Sequence, residues 1–198
     1  MLDVDLKAVE ANTKENLVIT VGRLGDYAKN TELLVDAIKI MPKDIKKQWK
    51  FYFIGPSTNA FRDYVDEFKK THVELSKQII MTGEIRDRTK LYSLCRKAKI
   101  ICMPSRNEGA CIATIEAMYF GAYPIITEYS AFALDTTNQK KLGTIVLPTA
   151  EDVAASLINT MENQKLPELN LQCQKYARSQ FDYVVLAKKL NGYLSKIQ

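Results

Sequence analysis

Two glutamates and two cations are the residues in this chain whose types and spacing could do chemistry. Glu108 and Glu116, separated by seven residues, lie in the stretch NEGACIATIEAMYFGAYPII, from Asn107 to Ile126, where Glu116 is the only charge between Glu108 and Glu128. An ionised carboxylate in so apolar a segment costs on the order of several kcal/mol unless it is hydrogen-bonded. If a helix begins near Ile112, Glu108 falls in the preceding loop and Glu116 about one turn inside, so the pair flanks a helix N-terminus. Free backbone N–H groups and the helix dipole make such a terminus a site for anions, and Gly109 and Ala110 allow close approach. A phosphate suits the terminus, and the vicinal hydroxyls of a ribose suit Glu116. The competing readings are an internal salt bridge or an exposed helix position for Glu116, and an ordinary loop carboxylate for Glu108. Arg23, directly after Gly22, and Lys29 offer two cations that suit a diphosphate, Arg as a bidentate fork and Lys as a point charge. Alternatively they are two solvated loop residues.

Other chemistries find little support. Neither the GxGxxG dinucleotide fingerprint nor the GxxxxGK[ST] phosphate loop is present. The DVD at residues 3–5 imitates a metal motif but precedes the first strand, and reads as a polar lead-in. His72, the only histidine, sits in the lysine-rich KKTHVEL and is expected to be exposed. A Ser/His/Asp or Cys/His constellation could be built only from that histidine, which argues against a self-contained hydrolase. Cys95, Cys102, Cys111 and Cys173 form no CxxC pair and are read as reduced, buried thiols.

The elements that must position these residues follow a βαβ rhythm. Short apolar runs recur at 17–21, 51–55, 79–83, 100–105, 123–127 and 144–148, nearly continuous in hydrophobicity, with helical spacing between them. That pattern predicts an α/β, Rossmann-like, mostly parallel six-stranded sheet with helices on both faces. A helix is expected over AEDVAASLINTMEN, and two closing helices flank Asp182. Ligands of such sheets bind beyond the carboxyl ends of the strands. There the sequence places GRLGDYAKN, GPSTN, GEIRD, SRNEG and EYSAF.

Taken together, VGRLGDYAKNTELLVDAI, FYFIGP, MTGEI, LYSLCRKAKIICMPSRNEGACIATIEAMYFGAYPIIT and LGTIVLPTAEDVAASL resemble the C-terminal, donor-binding half of GT-B glycosyltransferases. The resemblance is strongest to the large retaining group called family 4 or group 1, and its most specific element is the pair of glutamates seven residues apart. It implies that Arg23 and Lys29 neutralise the diphosphate of a nucleotide diphospho-sugar, most often a UDP-sugar, and that Glu108 binds donor-sugar hydroxyls. It further implies that Glu116 holds the ribose, that the backbone of Gly109, Ala110, Cys111 and Ile112 meets sugar and phosphate, and that Ile85 contacts the base. No metal and no tightly bound cofactor are implied. Two departures stand out: Ala110 and Cys111 replace a second glycine and an aromatic that are common after the first glutamate, and the N-terminal acceptor domain is missing.

At 198 residues and a formal charge of +5, the chain fits one soluble domain. The basic residues, among them Lys43, Lys46, Lys47 and Lys50, are expected on solvated helix faces. Nucleic acid is not an expected partner, and only a weak attraction to an anionic membrane surface is. The lead-in MLDVDLKAVEANTKEN is acidic and polar where a secretory signal is basic and then apolar, so the expected location is cytoplasmic, at most peripheral at the inner membrane face. The functional expectation is a donor-binding domain that transfers a hexose-type sugar only with its acceptor domain or a partner chain. The rival is a non-catalytic GT-B-like subunit supporting a partner glycosyltransferase, and a third reading is an epimerase of similar architecture.

Overall fold

The computed structural model describes residues 14–195, so the acidic motif at residues 3–5 lies outside the described residues. Chain order is β1 (Glu15–Val21), α1 (Glu32–Ile40), α2 (Lys43–Lys46), β2 (Lys50–Ile54), α3 (Asn59–Thr71), a 3₁₀ turn (Val73–Leu75), β3 (Ile79–Gly83), α4 (Arg88–Lys97) and β4 (Ala98–Met103). There follow α5 (Ile112–Tyr119), β5 (Tyr123–Thr127), α6 (Ala133–Thr136), β6 (Thr144–Val146), α7 (Ala150–Met161), α8 (Leu166–Phe181) and α9 (Tyr183–Leu194).

All six strands join one sheet in the order β3-β2-β1-β4-β5-β6, and every pairing is parallel. Burial explains why the strand runs read as continuous. Successive residues of a strand point to opposite faces, and here both faces are covered. Val18, Phe51, Phe53, Ile100 and Ile125 pack against α1, α3 and α7, while Leu17, Ile19, Ile101, Met103 and Ile126 pack against α4, α5 and α8. The order reverses between β1 and β4, so their loops diverge to opposite sides and leave a crevice at the carboxyl edge.

Backbone contacts are closest beside that crevice. Gly55 follows β2 with φ 138°, and a Cβ there would stand 1.9 Å from the carbonyl oxygen of Gly22. Only glycine lets the two loops meet, and the Gly22 amide donates to Ile54 O at 3.0 Å.

The structure corrects several expectations. Lys46 is buried: its ammonium donates to the carbonyls of Ile38 at 3.1 Å and Lys39 at 2.9 Å, capping the end of α1. A cation is favourable at that negative helix terminus. His72 is half-buried and stacks on Phe68 with ring centres 4.4 Å apart. The closing helices differ from each other. α8 buries Cys173 and Ala177 against the sheet, whereas α9 buries no residue and exposes Tyr183, Leu186, Leu190 and Leu194. Just ahead of β1, Lys14 donates to Ala98 O and Phe120 O, both at 2.7 Å, and to Cys95 O at 3.5 Å. One side-chain nitrogen thus serves the carboxyl ends of both α4 and α5.

Candidate functional site at the carboxyl edge of β1 and β4

The loop after β1 is shaped by Asp26. Its side chain accepts from the Ala28 amide at 2.9 Å, and its carbonyl accepts from the amides of Lys29 and Asn30. The chain therefore turns tightly and presents Lys29 toward the crevice. From the other side the loop after β4 is fastened to it: the Arg106 amide donates to Ala28 O at 2.8 Å, and the Arg106 guanidinium donates to Tyr27 O and lies over the Tyr27 ring. Glu108 is pinned by its own backbone, its amide donating to Tyr129 O and its carbonyl accepting from Ala131 N at 2.9 Å.

These anchors bring Lys29 and Glu108 together. Lys29 Nζ donates to Glu108 Oε2 at 2.5 Å, and Ser105 Oγ donates to the same oxygen at 3.3 Å. Both side chains are largely shielded, 21% and 15% exposed, so the pair is screened less than a surface bridge. Beside it lies a cavity of about 330 Å³ lined by Gly22, Lys29, Glu108 and the run Gly109, Ala110, Cys111 and Ile112.

That run leads into α5, which starts at Ile112, the start supposed from the sequence. Its cap residue, Cys111, has φ 44° and ψ 55° and makes no capping hydrogen bond from its side chain to the helix amides. A left-handed conformation at a non-glycine residue costs about 1–2 kcal/mol, and it turns the helix start toward the cavity. The Cys111 thiol is buried against Thr114 Oγ1 at 2.7 Å, and burial pushes its pKa up to about 11. It packs as a protonated thiol at neutral pH.

Glu116 sits one turn along α5, in a second cavity of about 450 Å³ that shares Ala110 and Ile112 with the first. Glu116 Oε1 accepts from Arg88 Nη1 at 2.7 Å and from Tyr92 OH at 3.4 Å. The internal salt bridge held open from sequence is therefore present. Glu116 raises the Arg88 pKa further, and burial followed by the Glu116 charge raises that of Tyr92, so both remain donors.

Not every predicted residue joins these cavities. Arg23 is 72% exposed and pairs with Asp26 at 3.0 Å. Ile85, half-buried in the loop after β3, packs against the core on the α4 and α5 side of the sheet and lines neither space. Sequence reasoning missed Arg88, Tyr92 and Ser105. Arg88 and Tyr92 share one face of α4 at i and i+4, which was a readable signal, but their partner on α5 was not. Among the described residues no three His, Cys, Asp or Glu side chains gather closely enough to hold a metal ion, and no helix is long and apolar enough to cross a membrane.

Comparison with known proteins agrees with this architecture. The family model for glycosyl transferases group 1 matches residues 3–180. A curated relative, the GalNAc-alpha-(1->4)-GalNAc-alpha-(1->3)-diNAcBac-PP-undecaprenol alpha-1,4-N-acetyl-D-galactosaminyltransferase of Campylobacter jejuni subsp. jejuni serotype O:2, is 30% identical over 133 residues, 67% of this chain and 34% of the relative. HepE from Anabaena, solved in complex with UDP, superposes with a TM-score of 0.74 at 21% identity, over 92% of this chain and 49% of HepE. The C-terminal domain of the group 1 protein LpcC from Francisella tularensis gives 0.72 at 22% identity, over 87% of this chain and 89% of that domain. The chain thus spans about a third of the curated relative and about half of HepE. With the family model covering nearly its whole length and the Rossmann-like sheet common to both solved structures, the chain belongs to the glycosyl transferases group 1 family.

Proposed function

We propose that the chain is the donor-binding half of a retaining glycosyltransferase that uses a nucleoside diphospho-sugar, with UDP the favoured nucleotide. The observation that carries this reading is the Lys29–Glu108 pair on the wall of the cavity at the start of α5. A cation, a carboxylate and a helix N-terminus around one space suit a phosphorylated sugar. The diphosphate lies against Lys29 and the first amides of α5, with Arg23 joining when it leaves Asp26. Glu108 accepts from sugar hydroxyls and Glu116 from ribose hydroxyls, while the base extends past both cavities to reach Ile85. When the bond between the anomeric carbon and the diphosphate breaks, negative charge grows on the leaving oxygen, where ammonium and helix dipole stabilise it. The charge is met by these groups, so transfer requires no divalent ion.

The acceptor, and the groups that choose it, belong to a further domain or a partner chain. Calorimetric titration of this chain with UDP, GDP and ADP tests the reading. Saturable UDP binding that is lost in Glu116→Ala and unchanged by a chelator is expected. Failure of all three nucleotides to bind would favour the rival, a non-catalytic subunit supporting a partner transferase, for which the Arg23–Asp26 pairing already speaks. Turnover by this chain alone on a simple acceptor would contradict the half-enzyme reading.

A further inference from the structure

Glu116 is held from one side only. Its Oε1 takes both donors that reach it, Arg88 Nη1 at 2.7 Å and Tyr92 OH at 3.4 Å, and those two donors touch each other at 3.3 Å. No hydrogen bond reaches Oε2 from any described residue. The two holders differ in kind. Tyr92 is 2% exposed and its ring packs 5.0 Å from that of Phe120, so its hydroxyl is fixed by the core. The Arg88 side chain is 62% exposed and rests over the Tyr92 ring, its guanidinium carbon 5.8 Å from the ring centre, so it stands at the rim of the cavity. Glu116 itself is 20% exposed.

From this geometry we infer that Arg88 and Tyr92 are positioning residues that orient Glu116, leaving its Oε2 to read the ribose hydroxyls of the nucleotide. The inference rests on the donor-site reading above. A carboxylate on a helix has rotamer freedom, and ordering it on binding would consume part of the interaction with the hydroxyls. Two donors on one oxygen set the rotamer beforehand. They also compensate the charge, which an apolar helix face would otherwise penalise. Discrimination follows from the same arrangement: an analogue without the hydroxyls takes water from the half-shielded carboxylate on binding and returns no donor to it.

An alternative role for the same contacts is a latch, in which Arg88 occupies Glu116 and must leave before ribose can bind. The two roles predict opposite results. The experiment compares UDP with 2′,3′-dideoxy-UDP by calorimetry on the parent chain, Tyr92→Phe, Arg88→Ala, Arg88→Lys and Glu116→Ala. Tyr92→Phe removes one oxygen and keeps the ring packing, and Arg88 is at the surface, so both folds are expected to survive. Positioning predicts that the parent prefers UDP by about tenfold or more, and that the preference falls to about threefold or less in Arg88→Ala. It predicts an intermediate preference in Tyr92→Phe and Arg88→Lys, and little change in affinity for the dideoxy analogue throughout. Tighter UDP binding by Arg88→Ala with the preference kept would establish the latch and overturn positioning. An unchanged preference in both Arg88→Ala and Tyr92→Phe would also overturn it, while leaving the donor site standing. Absence of UDP binding by the parent, or equal binding by Glu116→Ala, would overturn the donor-site reading and this inference with it.

Discussion

At the scale of single residues, the candidate site depends on charges that already have partners before any ligand arrives. Lys29 compensates Glu108, so a donor that contacts Lys29 shares a cation instead of recruiting a free one. Lys29→Ala removes a charged hydrogen bond worth about 1.5–3 kcal/mol, and UDP affinity should fall by about tenfold to a hundredfold while that for uridine stays the same. Titration of both ligands checks this, and equal UDP affinity would take Lys29 out of the site. Arg23 stands differently, because its pairing with Asp26 is exposed and screened. Arg23→Ala should therefore weaken UDP less than Lys29→Ala does. The reverse ranking would mean that Arg23 leaves Asp26 readily and makes the stronger phosphate contact.

At the scale of elements, two joints hold the site loops against the sheet. Gly55 allows β2 to pass the Gly22 carbonyl, and Gly55→Ala should destabilise the fold by about 1–3 kcal/mol, the range for overpacking, with a matching drop in urea midpoint. Lys14 satisfies carbonyls at the ends of α4 and α5, the helices that carry Arg88 and Glu116. Lys14→Met should cost about 1–3 kcal/mol in the same assay, since it leaves buried acceptors without a donor. How much of this could be read beforehand differs by element. The strands were legible because burial on both faces makes their apolar runs continuous. The start of α5 was only supposed near Ile112, where the structure has it, and two loops at one edge of the sheet placed Lys29 and Glu108 in the same crevice without announcing their direct pairing. The holders of Glu116 were not legible, because Arg88 is 28 residues away and on another helix. Lys46 escaped for a related reason: a lysine that caps α1 from the following turn looks, in sequence, like a lysine on a solvated face.

At the scale of the molecule, buried thiols set a limit on alkaline stability. Burial pushes Cys95, Cys102 and Cys173 up to about 12 and Cys111 to about 11. In the unfolded chain such thiols titrate near about 8.5. The stabilisation from keeping them protonated is complete below that pH and is lost as pH rises through the folded values. Lys14 acts with the opposite sign: burial lowers it to about 7, so its contribution grows between about pH 7 and its unfolded value near 10.4. Urea midpoints should therefore decline above about pH 8.5, less steeply in Cys102→Val and more steeply in Lys14→Met. A thiol reagent at neutral pH should label the native protein slowly and the urea-unfolded protein at all four cysteines.

The order of strands also has a consequence in time. β1 lies between β2 and β4, and β4 begins only at Ala98. A nascent chain that has emerged through Lys97 can pair β1 with β2 and β2 with β3, but the other edge of β1 stays open, a row of unpaired amides and carbonyls able to template a wrong strand. It also holds Lys29 with no Glu108 to meet it. Closure of that edge and assembly of the charge pair belong to the same stage of synthesis, so translation stalled near residue 97 leaves a product that is both sticky and siteless.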